Sequence, residues 1–164
     1  MGKIVTPDVL RLPRYEKLPT LGLYLDQVAD YINNRLAPLG DVHLTTTMIS
    51  AYVKHHLLPR PIKRQYGRDH LAKLIFIAAA KNILSLATLR VAVQIQEESH
   101  ATPAQSYDCF CDELENAYLV ANHQPKRLIV KARTDQQRVL HSLALAIAYH
   151  AVVDRYFHAI SADL

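Results

Sequence analysis

Between Leu21 and Leu36 the apolar positions Leu21, Tyr24, Leu25, Val28, Ile32 and Leu36 recur at helical spacing, and Pro38 with Gly40 ends the run. The spacing predicts a first helix over residues 20–36, with Thr20 as its N-cap. Thr45, Thr46 and Thr47 then precede Met48, Ile49, Tyr52 and Val53, an i, i+1, i+4, i+5 stripe that buries one face of a short second helix. Its other face shows Thr47, Ser50, Ala51 and Lys54. Leu57-Leu58-Pro59-Arg60-Pro61 breaks this helix, so residues 62–66 read as an exposed basic excursion before a third helix begins near Gly67. Leu71, Leu74, Ile75 and Ala78 supply the third helix with its buried stripe. Leu86, Leu89 and Val93 mark a fourth helix, with Ser85 in N-cap position.

Residues 96–106 are polar and contain Pro103, the expected boundary between an N-terminal domain and a C-terminal helical region. Beyond it, Tyr107, Phe110, Cys111, Leu114, Tyr118 and Ala121 line one side of a fifth helix, with Asp108, Asp112, Glu113 and Glu115 expected outside. Leu128-Ile129-Val130 reads as either a brief strand or an apolar linker. Thr134 with Gln137 spells a capping box at the start of a long last helix that runs to about Ile160. Its stretch from Leu143 to Val153 is apolar nearly all round, which one neighbouring helix cannot cover, so it is expected to be central or shared with a second subunit. At the other end, Pro7, Pro13 and Pro19 suit an extended arm lying on the domain.

The chain has 164 residues, half of them apolar and 21% charged, enough to bury a core and too little charge for a disordered chain. Four glycines and no phosphate-cradling motif argue against nucleotide-dependent chemistry. Cys109 and Cys111 are too close for an unstrained disulfide with each other. The first residues lack the apolar core of a signal peptide, and the longest apolar stretch is too short to span a bilayer, so a cytoplasmic protein without a membrane partner is expected.

Charge adds an asymmetry. Residues 1–95 hold 13 Lys/Arg against 6 Asp/Glu, a balance of +7, whereas residues 96–164 hold 6 against 9, a balance of −3. Between Val42 and Arg68, Lys54, Arg60, Lys63, Arg64 and Arg68 occur without one acidic residue, beside His43, His55 and His56. A polyanion is the natural partner of such a segment. A helix, a turn, a short helix with a small polar outer face and then a basic excursion is also what a DNA reader of the helix-turn-helix type requires.

The order of residues carries a resemblance. Leu44-Thr45-Thr46-Thr47-Met48-Ile49-Ser50-Ala51-Tyr52-Val53-Lys54 through Leu57-Leu58-Pro59, then Tyr66-Gly67-Arg68-Asp69-His70-Leu71, resembles the winged helix-turn-helix of MerR-type regulators. In that family a recognition helix ending in Tyr and a Leu-Leu-x-Pro segment lead to a basic wing and then to a helix opened by Tyr, Arg and Asp. This chain departs from the family at Ser50, Ala51 and His56, where Arg, Tyr and Gly are usual. A closer resemblance, over roughly residues 10–95, is to the YkrK-like bacterial family, catalogued chiefly as a domain of unknown function. It rests on Leu12-Pro13-Arg14-Tyr15, Leu23-Tyr24-Leu25-Asp26-Gln27-Val28, Met48-Ile49 with Tyr52-Val53-Lys54, and Pro61-Ile62-Lys63-Arg64-Gln65-Tyr66.

Pattern and resemblance together lead to an all-α protein in three parts: an arm over residues 1–19, a MerR-like winged helix-turn-helix over 20–95, which the resemblances imply, and a C-terminal helical dimerisation region over 96–164, which rests on its apolar last helix alone. The implied function is sequence-specific binding of double-stranded DNA by a homodimer in transcription regulation. Thr46, Thr47 and Ser50 would face bases, while Lys54, Arg60, Lys63, Arg64, Tyr66 and Arg68 would hold phosphates. The alternative is a helical adaptor that retains the fold and binds an acidic protein partner. No catalytic residue, metal site or cofactor is expected. No nucleophile has a recognisable setting, His141, His150 and His158 read as buried or interfacial, and Cys109-x-Cys111 with His100 or His123 is a weak metal signal.

Overall fold

A computed structural model describes residues 9–125 and 131–164, so the choice between strand and linker for residues 128–130 lies outside the described residues. The described part contains six α-helices: α1 (Leu25–Leu36), α2 (Thr46–Lys54), α3 (Arg68–Ala80), α4 (Leu86–Glu97), α5 (Pro103–Ala121) and α6 (Asp135–Ser161). Extended pairing among the described residues is limited to two isolated antiparallel bridges, Leu23 with Tyr66 and Ile62 with Gln65. The described part of the chain is therefore all-α. No described helix is long and apolar enough to cross a membrane.

Local chemistry explains where most helices start. Thr45, Ser85, Thr102 and Thr134 each accept, through the side-chain oxygen, the backbone N–H three residues on. At Gly67 the roles reverse, because His70 Nδ1 accepts the Gly67 N–H at 3.1 Å and so closes the first turn of α3. The capping box expected at Thr134 is only half formed, since Gln137 Oε1 takes the N–H of Arg133 and its amide donates to the Ser99 carbonyl. Helix α1 starts five residues later than Thr20. Tyr24 precedes it with its N–H on Gln27 Oε1, and Leu23 is diverted into the bridge with Tyr66.

One hydrophobic core runs through all six helices. Helix α3 is its centre: every residue from Leu74 to Ala80 is buried. The stripe of α5 is buried as expected, and Phe110 meets Phe76 edge-on at 4.9 Å between ring centres. Helix α6 packs along α5 through Leu140, Ala144, Ile147, Ala148 and Ala151. Its opposite side stays open, so α6 is a flanking helix rather than a central one.

The acidic side of α5 differs from expectation. Glu113 is buried and its carboxylate meets His141 Nδ1 of α6 at 2.5 Å. Asp108, Asp112 and Glu115 are half-buried because the N-terminal arm lies on them. Arg14 reaches Asp112 and Glu115 at 2.6 Å each, Leu12 N–H donates to Glu115 at 2.8 Å, and Tyr15 N–H donates to Asp108 at 2.7 Å. Burial alone would lower the Arg14 pKa, but the bonds to Glu115 and Asp112 outweigh it and the net shift is upward. Tyr107 of α5 adds a hydroxyl bond to the Pro13 carbonyl at 2.6 Å.

Candidate nucleic-acid interface

Helix α2 is held at both ends. The Asn33 side chain of α1 grips Leu44 twice, accepting its N–H at 2.7 Å and donating to its carbonyl at 2.9 Å, and Thr45 then caps the helix. Nine residues, 37–45, separate α1 from α2, where a tight helix-turn-helix uses three or four. Ile49 and Tyr52 are buried and Val53 is half-buried, but Met48 stays exposed, so the buried stripe is narrower than its sequence suggests. Thr46, Thr47, Ser50 and Lys54 are all exposed.

Past Lys54 the helix closes in a Schellman arrangement. His56 N–H donates to the Val53 carbonyl and Leu57 N–H to the Tyr52 carbonyl, with His56 at φ 58°. Arg90 of α4 covers the same end, donating to the His55 carbonyl at 2.7 Å. His56 thus carries a Cβ in left-handed backbone, which Gly adopts without steric cost. His56→Gly should raise stability by about 0.5–1 kcal/mol, the relief of the Cβ clash less the added freedom of the unfolded chain. A thermal melt checks this, and a His56→Val variant should move the other way.

Leu57 and Leu58 are buried, Arg60 is exposed, and the chain then turns back on itself. Ile62 and Gln65 exchange two backbone hydrogen bonds, at 3.0 and 2.9 Å, around the two-residue loop Lys63-Arg64. Both loop residues have positive φ, 50° and 64°, as the hairpin turn matching strand twist demands, though Asn-Gly is the sequence that meets it without strain. Tyr66 extends the hairpin by exchanging two bonds with Leu23. Gly22 makes room for it, since a Cβ there would lie 2.6 Å from Gln65 Cβ. The excursion is thus a tight hairpin with two cations at its tip.

Two expected phosphate contacts do not belong to this exposed set. Tyr66 is buried, edge-on to the His70 ring at 5.3 Å, and burial raises its hydroxyl pKa. Arg68 turns inward to the arm, donating to the Leu18 and Glu16 carbonyls at 3.0 Å and stacking over the Tyr15 ring. Both are structural pins: Tyr66 ties the hairpin to Leu23, and Arg68 ties α3 to the arm. What remains exposed is Thr46, Thr47, Ser50, Lys54, Arg60, Lys63 and Arg64, with His43, His55 and His56 around them. The histidines are visible in the sequence as part of the acid-free segment, but only the fold shows them at the surface.

The two thiols lie in different surroundings. Cys111 is buried, its thiol pushed up to about 12 by burial and 3.9 Å from the Pro13 carbonyl. Cys109 is half-buried beside Glu113, and burial together with that carboxylate pushes it up to about 11. In both cases burial favours the protonated thiol. Among the described residues, the group with metal-ligating atoms gathered within 4.8 Å is instead Asp41, Asp154 and His158.

The described residues thus combine a capped short helix, an exposed basic segment without acidic residues and a tight two-residue hairpin. Residues 13–118, roughly two thirds of the chain, match the family described as a domain of unknown function (DUF1836), and the chain belongs to that family. The match carries neither the YkrK-like name nor a MerR-type winged helix-turn-helix. No curated protein and no solved structure matches the chain.

Proposed function

We propose that this protein is a sequence-specific DNA-binding regulator of transcription, of the MerR-like winged helix-turn-helix kind, acting as a dimer. The observation that carries this reading is the pairing of α2, with small hydroxyl side chains along its exposed edge, and a hairpin that presents Lys63 and Arg64 at its tip. Thr46, Thr47 and Ser50 are short enough to bring the helix close to base edges in a major groove, and Lys54, Arg60, Lys63 and Arg64 are the phosphate contacts. The bridge from Leu23 to Tyr66 supports the winged form, because it ties the wing to the segment that opens α1. The long connection over residues 37–45 departs from the tight turn, and the Asn33 grip on Leu44 replaces that turn in fixing where α2 begins.

Selection from random duplexes, followed by titration over a range of salt, tests this. A preferred sequence should emerge, and affinity should fall steeply as salt rises. Thr47→Ala and Ser50→Ala should each remove roughly 1–3 kcal/mol of discrimination at particular base pairs and leave the salt slope nearly unchanged. Salt-dependent binding without any sequence preference would instead favour the adaptor for an acidic protein partner.

A further inference from the structure

The side of α6 turned away from α5 is apolar over most of its length. Val139, Ala146, Val153 and Ile160 recur every seven residues along it, flanked by Leu143, Tyr149 and Phe157. From Val139 to Val153 the helix holds no Asp, Glu, Lys or Arg, the depletion seen at the centres of protein interfaces. At its N-terminal half this side forms, with Val91, Ala92 and Ile95 of α4, an open apolar groove of about 360 Å³. At its C-terminal half it does the reverse: Tyr156 and Phe157 project as a pair, edge to face at 5.5 Å, each 62% exposed. A groove and a projecting aromatic pair thus lie on one helix, at opposite ends.

We infer that a second copy of this chain covers this face, with α6 antiparallel to its mate and the aromatic pair of each copy seated in the α4–α6 groove of the other. A two-fold axis between Tyr149 and His150 sets the register. It brings Val139 opposite Ile160, Leu143 opposite Tyr156, and Ala146, which is small, opposite Val153. The same patch serves both copies, as a two-fold dimer requires. Tyr149 and His150 meet at the axis, where a hydroxyl and an imidazole can pair, as isolated polar residues do in fixing the register of helix pairs.

Area and charge agree with this occupant. The exposed large side chains of the face, from Val91 and Val139 to Ile160, are 43–62% exposed. With aromatics offering roughly 150–250 Å² each when fully covered, and aliphatics somewhat less, the face offers on the order of 700 Å². A stable interface takes about 800 Å² from each partner. The antiparallel register sets Arg138, near the start of α6, close to the partner's Asp163 just beyond its end, whereas a parallel one sets Arg138 against Arg138 and His158 against His158.

This inference names the surface of the proposed dimer but does not depend on DNA binding, so it is tested without DNA. Sedimentation equilibrium of the full chain should give twice the 18.6 kDa chain mass at micromolar concentration. Val153→Asp and Tyr156→Asp should each halve that mass and leave the thermal melt of the monomer cooperative, because both side chains are exposed in the single chain. Register is read by cross-linking: Ala146→Cys mixed with Val153→Cys should form a disulfide-linked dimer, while neither variant alone, nor the unaltered chain, should do so. A wild-type mass of one chain overturns the proposal, as does a dimer that survives both Asp variants. Self-linking of the single variants, without linking in the mixture, overturns the antiparallel register.

Discussion

Arg14→Ala should lower the unfolding free energy by about 3 kcal/mol, between the loss for an exposed ion pair and that for a fully buried one. The guanidinium holds Asp112 and Glu115 of α5 and also donates to the Leu12 carbonyl at 2.9 Å. The side chains are between 21% and 31% exposed, so solvent recovers only part of the stabilisation that Arg14 supplies. Removal takes the cation from two neighbouring carboxylates, and among the described residues Glu115 then keeps the Leu12 N–H as its partner. For a chain of this size the melting temperature should fall by roughly 6–12 °C. Arg14→Lys should recover only part of the loss, because an ammonium cannot span both carboxylates as the planar fork does. A denaturant titration in which Arg14→Ala leaves the midpoint unchanged would show that the apolar contacts of Leu10, Leu12 and Leu18 and the remaining hydrogen bonds hold the arm without the Arg14 clamp.

The clamp around Arg14 is also where sequence reading runs out. The stripes of α3, α4 and α5 are legible because each repeats within a few residues, and Ser85 and Thr134 are legible because a cap acts on the turn beside it. Arg14 and Glu115 are 101 residues apart, and nothing local to either names the other. For the same reason Glu113 reads as an outer residue of an amphipathic helix until α6 brings His141 against it. The start of α1 misleads in the opposite way. Leu21 continues the helical period, yet the chain stays extended through Leu23 because Tyr66 offers it two backbone bonds.

The candidate site divides along the same line. Residue type and the absence of acid single out the segment, and the exposed positions on α2 follow from which residues its stripe buries. Burial cannot be read from type alone, and so Tyr66 and Arg68 group with Lys63 and Arg64 in the sequence although they face inward in the fold. Ile147 makes a similar point for the C-terminal region. It is buried in the chain's own core, so a charge placed there should unfold the monomer rather than part a dimer.

At the wing tip, stability and binding should move in opposite directions. Lys63 and Arg64 both occupy left-handed backbone, which costs an L-residue with a Cβ roughly 1–2 kcal/mol per position. Asn-Gly meets the same turn with little strain, so Lys63→Asn combined with Arg64→Gly should raise the unfolding free energy by about 1–2 kcal/mol, net of the freedom Gly adds to the unfolded chain. The same exchange removes two cations from each chain. On the DNA-binding reading, affinity for every duplex should fall, and the slope of log K against log salt should become shallower by about one unit for each phosphate no longer neutralised, doubled in a symmetric dimer. Lys63→Ala with Arg64→Ala separates the two effects, because Ala removes the charges and keeps the strained backbone. Its salt slope should match that of the Asn-Gly variant, while its stability should stay near or below that of the wild type. If Asn-Gly brings no stabilisation, the loop is not strained in solution. If neither double variant changes the salt slope, the wing does not touch the polyanion, and α2 alone would have to carry DNA binding.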